Sequence, residues 1–287
     1  MMAATSDGWQ ASAAAWIAHI GETGDRGRAD ILDRPMMDAV TSSGAKSVLD
    51  VGCGPGRYYD YISEHLPGVE YVGLDYAYPM LEGHNGEGVL SRGAMEQLPF
   101  ADHSFDIVMA NHVLYLAPDV ESTVRELRRV LKPGGVLMAT TTSTTSTPQF
   151  RELFRRAILL VSPPGRTRDI KIPETLHGRF ALENGSRILS RHFYAVVRHD
   201  LPAALVFNEV DPIIDYLEAT RPIREPQLPE GVSWDQVMMI MREQITNLIM
   251  SLNALVVDKL TGVLMASDNG GFINEFTEIQ AKLDAEG

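Results

Sequence analysis

From Lys46 onward, short apolar runs take turns with longer stretches whose apolar residues recur every three to four positions. KSVLDVG reads as a strand and RYYDYISEHL as a helix. VEYVGLD is a second strand, AYPMLEGH a helix that glycines end, and GEGVLSRG a third strand. SFDIVMAN is a fourth, DVESTVRELRRVL an amphipathic helix, and KPGG the stop before a fifth strand, VLMATTT. Strands alternating with helices at this spacing predict βαβ units, and hence an α/β protein with a mostly parallel, doubly wound sheet.

Outside this run the pattern is more helical. Two helices are expected at about residues 9–20 and 28–42, separated by GETGDRG. After the fifth strand a polar Ser/Thr tract, TTSTTSTP, reads as a strand end running into a loop. QFRELFRRAILLV is helical until PPGRTR breaks it, and LENGSRILSRHFYAVVRHD gives a helix and then a strand. Late in the chain, Val237, Met241, Leu248, Leu252 and Val256 form an apolar stripe that predicts a helix of about six turns. Its methionines suit cap core or the subunit interface of a homodimer. No internal repeat is present.

Composition narrows the function classes. The 287 residues, 45% hydrophobic and 22% charged, suit one large α/β domain with an elaboration. No apolar run approaches the roughly 18–20 residues that span a bilayer. The first twenty residues lack a basic leader and carry Trp and His through their apolar part, so a signal peptide is not expected and a cytoplasmic location is the default. The single cysteine, Cys53, excludes an intramolecular disulfide, and no His/Cys spacing suggests a structural zinc, so no metal is expected. A formal charge of −13 without any Lys/Arg-rich block disfavours nucleic acid as a partner. A small-molecule substrate is the simpler expectation.

The chemistry begins at VLDVGCGPGR, residues 48–57, where Gly52, Gly54 and Gly56 crowd a strand-to-helix turn. Glycine opens backbone conformations closed to other residues and lets a ligand touch the main chain, so this turn suits a cofactor cradle. A dinucleotide fold would place its third glycine where Arg57 stands, which weakens that reading. A cradle for another cofactor and a tight turn without a ligand both remain open at this point.

VLDVGCGPG, the acidic end of the next strand in GLDYAYPML, MEQLPFADHSFDIVMANHVLYL and ELRRVLKPGGVLM together resemble the class I S-adenosylmethionine-dependent methyltransferases. Within them the chain is most similar to the small-molecule branch of ubiquinone and menaquinone C-methyltransferases and natural-product O- and N-methyltransferases. The resemblance covers about residues 46–142 and implies a Rossmann-like sheet with a helical substrate cap. The implied units are residues 1–45 as N-terminal cap, 46–142 as cofactor-binding core, 143–191 as cap insertion and 192–287 as completion of the sheet with the late helix. It implies S-adenosylmethionine as cofactor, held at Asp50, Gly52, Cys53, Gly54 and Gly56. Asp75 would accept the ribose hydroxyls, with Tyr76 and Met80 flanking ribose and adenine. Asn111 would face the methionine amino group through its carbonyl, and Arg28 would reach the methionine carboxylate. One position departs from the family pattern: Ala94 stands where an aspartate usually accepts from the adenine amino group, leaving Met95 N–H and Glu96 to serve the adenine.

The resemblance implies methyl transfer to a small, apolar or aromatic metabolite, with O- or N-methylation favoured over C-methylation of a quinone or lipid-like acceptor. A protein that binds the cofactor without turnover is the further alternative. A sulfonium carries its own leaving group, so in-line alignment and a dry pocket matter more than a covalent catalyst. His112, which follows Asn111 at the mouth of the sheet, is the candidate base, and His177 in the cap a second. Trp9, Trp16 and Phe150 are candidate pocket-lining aromatics.

Overall fold

A computed structural model describes residues 44–84, 86, 88–163, 171–174 and 176–270. Five parallel strands follow in the expected order: β1 (Ser47–Val51), β2 (Glu70–Asp75), β3 (Val89–Arg92), β4 (Phe105–Asn111) and β5 (Leu131–Thr142). Between them lie α1 (Tyr59–His65), α2 (Tyr78–Glu82) and α3 (Val120–Val130). The sheet is completed by β6 (Ala195–Phe207) and β7 (Leu255–Ser267), in the order β3-β2-β1-β4-β5-β7-β6. Only β7 runs against its neighbours. The strand order reverses between β1 and β4, and in open α/β sheets that switch point opens the crevice where ligands bind, at the carboxyl ends of the strands.

Burial explains the sequence pattern. All five residues of β1 are buried because both faces of the sheet are covered, so its run is apolar rather than alternating. On one face, Val124, Leu127 and Val130 of α3 pack with Leu49, Val108 and Leu137. Asp119 starts α3 by accepting from Ser122 N, and Arg128 and Arg129 close it, each sign at the favourable end of the helix. On the other face, Tyr58 and Ile62 of the α1 region pack with Val48, Ile107, Met109 and Met138.

A second core sits on the far halves of β6 and β7. There α4 (Pro148–Val161), α6 (Asp211–Glu218) and α8 (Trp234–Leu252) enclose Phe154, Ile213, Leu217, Trp234, Met241, Leu255 and Val257. A single turn of helix, α7 (Arg221–Arg224), joins α6 to α8 through a 3-10 turn. Three sequence expectations change. The long helix stops at Leu252, where Asn253 takes a left-handed φ of +63°, so Val256 belongs to β7 and not to the helical stripe. The segment 143–191 also divides. α4 joins the helical layer, whereas Phe180 and α5 (Leu182–Leu189) bury Leu182, Ile188 and Leu189 in the core of the sheet itself. The KPGG stop is likewise the irregular start of β5, marked by a register shift against β4 between Phe105 and Ile107. No helix among the described residues is long and apolar enough to cross a membrane. The expected cap at 1–45 lies almost wholly outside the described residues, as do Trp9, Trp16 and Arg28.

Candidate active site

The turn after β1 is built as its glycines require. Gly52, Gly54 and Gly56 all have left-handed φ angles, +74°, +56° and +87°. Gly52 N and Cys53 N donate to Leu74 O at 2.7 and 3.1 Å, fastening the turn to the end of β2. A Cβ at Gly52 would fall 2.5 Å from Val113 Cγ2, so this glycine is also needed for close packing under the chain that leaves β4. At Gly54 the nearest atom to such a Cβ is Met80 Sδ at 3.9 Å, so bare main chain faces open space there. Cys53 contributes only backbone: its buried thiol packs against Gly73.

Two carboxylates flank the turn. Asp75, at the end of β2, accepts from Gly54 N through Oδ2 and from Ala77 N through Oδ1, both at 2.9 Å. Burial raises its pKa, and those backbone bonds oppose the rise. With the Tyr76 backbone also donating to it, the carboxylate keeps acceptor capacity for a further donor. Gly93 N donates to Asp75 O, which brings the loop of Ala94, Met95 and Glu96, all half-buried, beside it. Met95 also packs on the core. Tyr76 is exposed and Met80 half-buried at the same edge.

Asp50 is 1% exposed. Its Oδ2 accepts from Tyr71 Oη at 2.9 Å, while Oδ1 has no partner among the described residues. Burial pushes the carboxyl up to about 7, the Tyr71 bond opposing and the nearby Asp75 charge adding to the rise. Strand register puts Asp50, Asn111 and Thr140 on one face of the sheet. Both amide atoms of Asn111 and the Thr140 hydroxyl are buried without partners. Of seven such atoms among the described residues, four belong to these three side chains, which marks the spot as one awaiting a ligand.

His112 follows with a left-handed φ of +52°, its N–H donating to Thr140 O at 3.0 Å. Burial, then the charges of Lys259, Arg57 and His177, lower its pKa to about 3. His177, on the 3-10 turn Leu176–Arg179, stacks on Tyr115 with ring centroids 4.2 Å apart and is lowered to about 4 by burial, Arg224 and Lys259. The two histidines thus belong to one cluster. A pKa near 3 corrects the expectation that His112, as candidate base, titrates near neutrality. Phe150 is corrected too: it is 3% exposed in the helical core, against Phe207 and Tyr216.

Sequence reasoning passed over Tyr71, Tyr115, Thr140, Tyr216 and Arg224. Tyr115 lies within MEQLPFADHSFDIVMANHVLYL without standing out there, and the others are placed only by strand register and helix packing. The parity of β4 against β5 was a usable signal for Thr140.

Residues 49–139 match the model of a family described as a methyltransferase domain. The α/β core thus carries the match to a methyltransferase domain. Its cofactor is S-adenosylmethionine, and the glycine turn, Asp75 and the unpartnered atoms of Asp50 and Asn111 fit that molecule's ribose and amino group. A malonyl-[acyl-carrier protein] O-methyltransferase of Legionella pneumophila is 35% identical over 102 residues, 33% of this chain and 36% of the relative. A demethylmenaquinone methyltransferase of Staphylococcus saprophyticus is 34% identical over 139 residues, 45% of this chain and 58% of the relative. The matches therefore span well under two thirds of either relative's length. The solved YcgJ protein of Bacillus subtilis, 19% identical, shares the fold over 82% of this chain and 98% of its own with a TM-score of 0.50. A Bacillus halodurans protein, 17% identical with the same coverages, gives 0.54.

Proposed function

We propose that this chain transfers a methyl group from S-adenosylmethionine to a small-molecule acceptor, with oxygen or nitrogen as the favoured accepting atom. The observation that carries the reading is the set of partnerless buried atoms on Asp50, Asn111 and Thr140 beside a glycine turn whose main chain is bare at Gly54. The cofactor would supply an electrophilic methyl group on a sulfonium. Asp75 would hold its ribose, Asp50 and Asn111 its amino group, and Met95 N–H its adenine, with no carboxylate at Ala94. A cationic amino group beside Asp50 favours the ionised carboxylate and so reverses the effect of burial.

On the acceptor side, His112 and His177 are neutral imidazoles at pH 7, since burial holds both well below their ordinary range. A neutral imidazole with so low a pKa accepts a hydrogen bond from the acceptor and orients it, but does not carry off a proton efficiently. The site therefore suits an acceptor that is already nucleophilic at neutral pH. The packing of Tyr115 on His177 shields this region from water. The same lack of a base, with the demethylmenaquinone methyltransferase relative, supports a second reading, C-methylation of a quinone-like acceptor.

The test is to incubate the chain with S-adenosylmethionine and a panel of phenols, carboxylic acids, amines and reduced quinones, measuring S-adenosylhomocysteine. Methylation of a member of the first three classes is expected. Methylation only of the quinones moves the assignment to carbon, and binding without any turnover refutes the enzymatic reading.

A further inference from the structure

Arg224 stands out beside this site, close enough for its charge to act on His177. It ends α7, and its guanidinium carbon lies 5.2 Å from the centroid of the Phe154 ring, in the helical layer. Its neighbour Arg221 is paired with Glu225 and Asp235, and Arg242 with Asp211. Arg224 has no such partner among the described residues, and its Nε is buried without any acceptor. Burial pulls its pKa down, opposed only by Tyr216. A guanidinium nevertheless stays ionised, so a largely desolvated positive charge is left facing aromatic rings.

The chain has 38 acidic residues against 25 Lys and Arg, yet among the described residues none forms an ion pair with this guanidinium. The charges that act on His112 are likewise positive, from Lys259 and Arg57, and Arg224 itself acts on His177. Tyr216 reaches electrostatically to both Arg224 and Tyr115, which ties α6 and α7 to the turn after β4. Among the described residues, Arg224 thus brings a positive charge to the region beside the carboxyl ends of β4 and β5. A buried charge without a partner is costly unless something supplies the counter-charge.

We propose that the acceptor is an anion, its carboxylate or phosphate group bound by Arg224 beside Tyr115 and Tyr216. This rests on the methyltransferase reading for the word acceptor, but the anion site stands on Arg224 itself. A planar guanidinium offers paired donors to either oxyanion, and the Tyr115 and Tyr216 rings offer apolar faces to the remainder of the molecule. Where a carboxylate is the group held, it is ionised at neutral pH and needs no base.

The experiment is calorimetric titration of the full chain with benzoate, phenyl phosphate and neutral benzamide, in the presence of S-adenosylhomocysteine. At least one anion should bind about tenfold or more tightly than benzamide, the difference a charge-assisted bond makes. Whether benzoate or phenyl phosphate binds more tightly tells carboxylate from phosphate. Arg224→Gln should abolish the preference and leave S-adenosylhomocysteine affinity within about twofold, while Arg224→Lys should keep part of it. Equal binding of anions and benzamide, no anion binding at all, or a preference that survives Arg224→Gln would each overturn the proposal. S-adenosylhomocysteine titrated alone reads the cofactor assignment separately, so its failure to bind is distinguishable from failure of the anion site.

Discussion

The two ends of the parallel strands treat polar groups in opposite ways. At the amino end, Asp106 of β4 accepts from Lys46 N, Ser47 N, Ser47 Oγ and Lys132 Nζ at 2.9–3.0 Å. Arg129 beside it donates to Glu126, Asp102, Leu98 O and Phe100 O. At the carboxyl end, Asp50, Asn111 and Thr140 bury atoms with no partner, and Arg224 does the same in the helical layer. One end is saturated within the chain and the other is not. Buried polar atoms left unpaired cost about 1–3 kcal/mol each, so a fold that gathers them at its ligand crevice trades stability for binding.

The largest expected effect is at Asp75. Asp75→Ala should weaken S-adenosylhomocysteine binding by about 2–4 kcal/mol in calorimetry, because it removes the ribose acceptor. Unlike a purely ligand-facing carboxylate it should also cost about 1 kcal/mol of stability, since Gly54 N and Ala77 N lose their acceptor. Next comes the amino end: Asp106→Ala should lower stability by about 2 kcal/mol in urea unfolding and leave cofactor affinity within about twofold. An Asp106 variant that lost the cofactor would break the contrast between the ends.

The pH dependence of stability separates the ends by sign. Burial works to raise the Asp106 pKa, but hydrogen bonds from Lys132, Ser47 and Lys46 hold it below the ordinary carboxylate value. Its contribution is present above pH 3.8 and fades as pH falls through its folded pKa. Asp50 is raised from 3.8 to about 7, so the folded state binds the extra proton and the ligand-free protein loses stability as pH climbs through that window. Asp50→Asn should flatten the decline from pH 4 to 7, and Asp106→Asn the loss below pH 4. Thermal melts across pH 3–8 check both, and a stability that rises from pH 4 to 7 in the parent but not in Asp50→Asn would reverse the assignment for Asp50.

Smaller effects sharpen the same contrast. His112→Ala should lower kcat by about tenfold or less, through lost positioning, with no limb near pH 6–7 in the parent pH–rate profile. A limb there that vanished in the variant would restore His112 as a base. Asn111→Leu should be neutral or stabilise the ligand-free protein by up to about 1 kcal/mol in urea unfolding, because it removes two buried atoms that have no partner. A clear loss of stability would mean that the amide is bonded within the chain.

The cofactor half was legible because its chemistry is local. Left-handed turns demand glycine at 52, 54 and 56, and an acidic residue at a strand end stays in register with the turn it serves. Alternating strands and helices likewise announced the parallel sheet. Arg224, Tyr216 and Thr140 gave no such local signal, because each is placed only by helix packing or strand register between segments distant in the sequence. The burial of Phe150 and the low pKa of His112 were hidden for the same reason, since the first depends on packing against Phe207 and Tyr216 and the second on burial beside Lys259, Arg57 and His177. Val256 was read into the helix because its spacing continues the stripe, and only the left-handed Asn253 reveals the break.

The claim that the carboxyl end is a cofactor site is tested most directly by calorimetric titration of S-adenosylhomocysteine and NADH into the parent, Asp75→Ala and Asp106→Ala proteins. The account predicts binding of S-adenosylhomocysteine but not NADH, an affinity lost by about 2–4 kcal/mol in Asp75→Ala, and one nearly unchanged in Asp106→Ala. NADH binding in place of S-adenosylhomocysteine, or an affinity indifferent to Asp75, would contradict it.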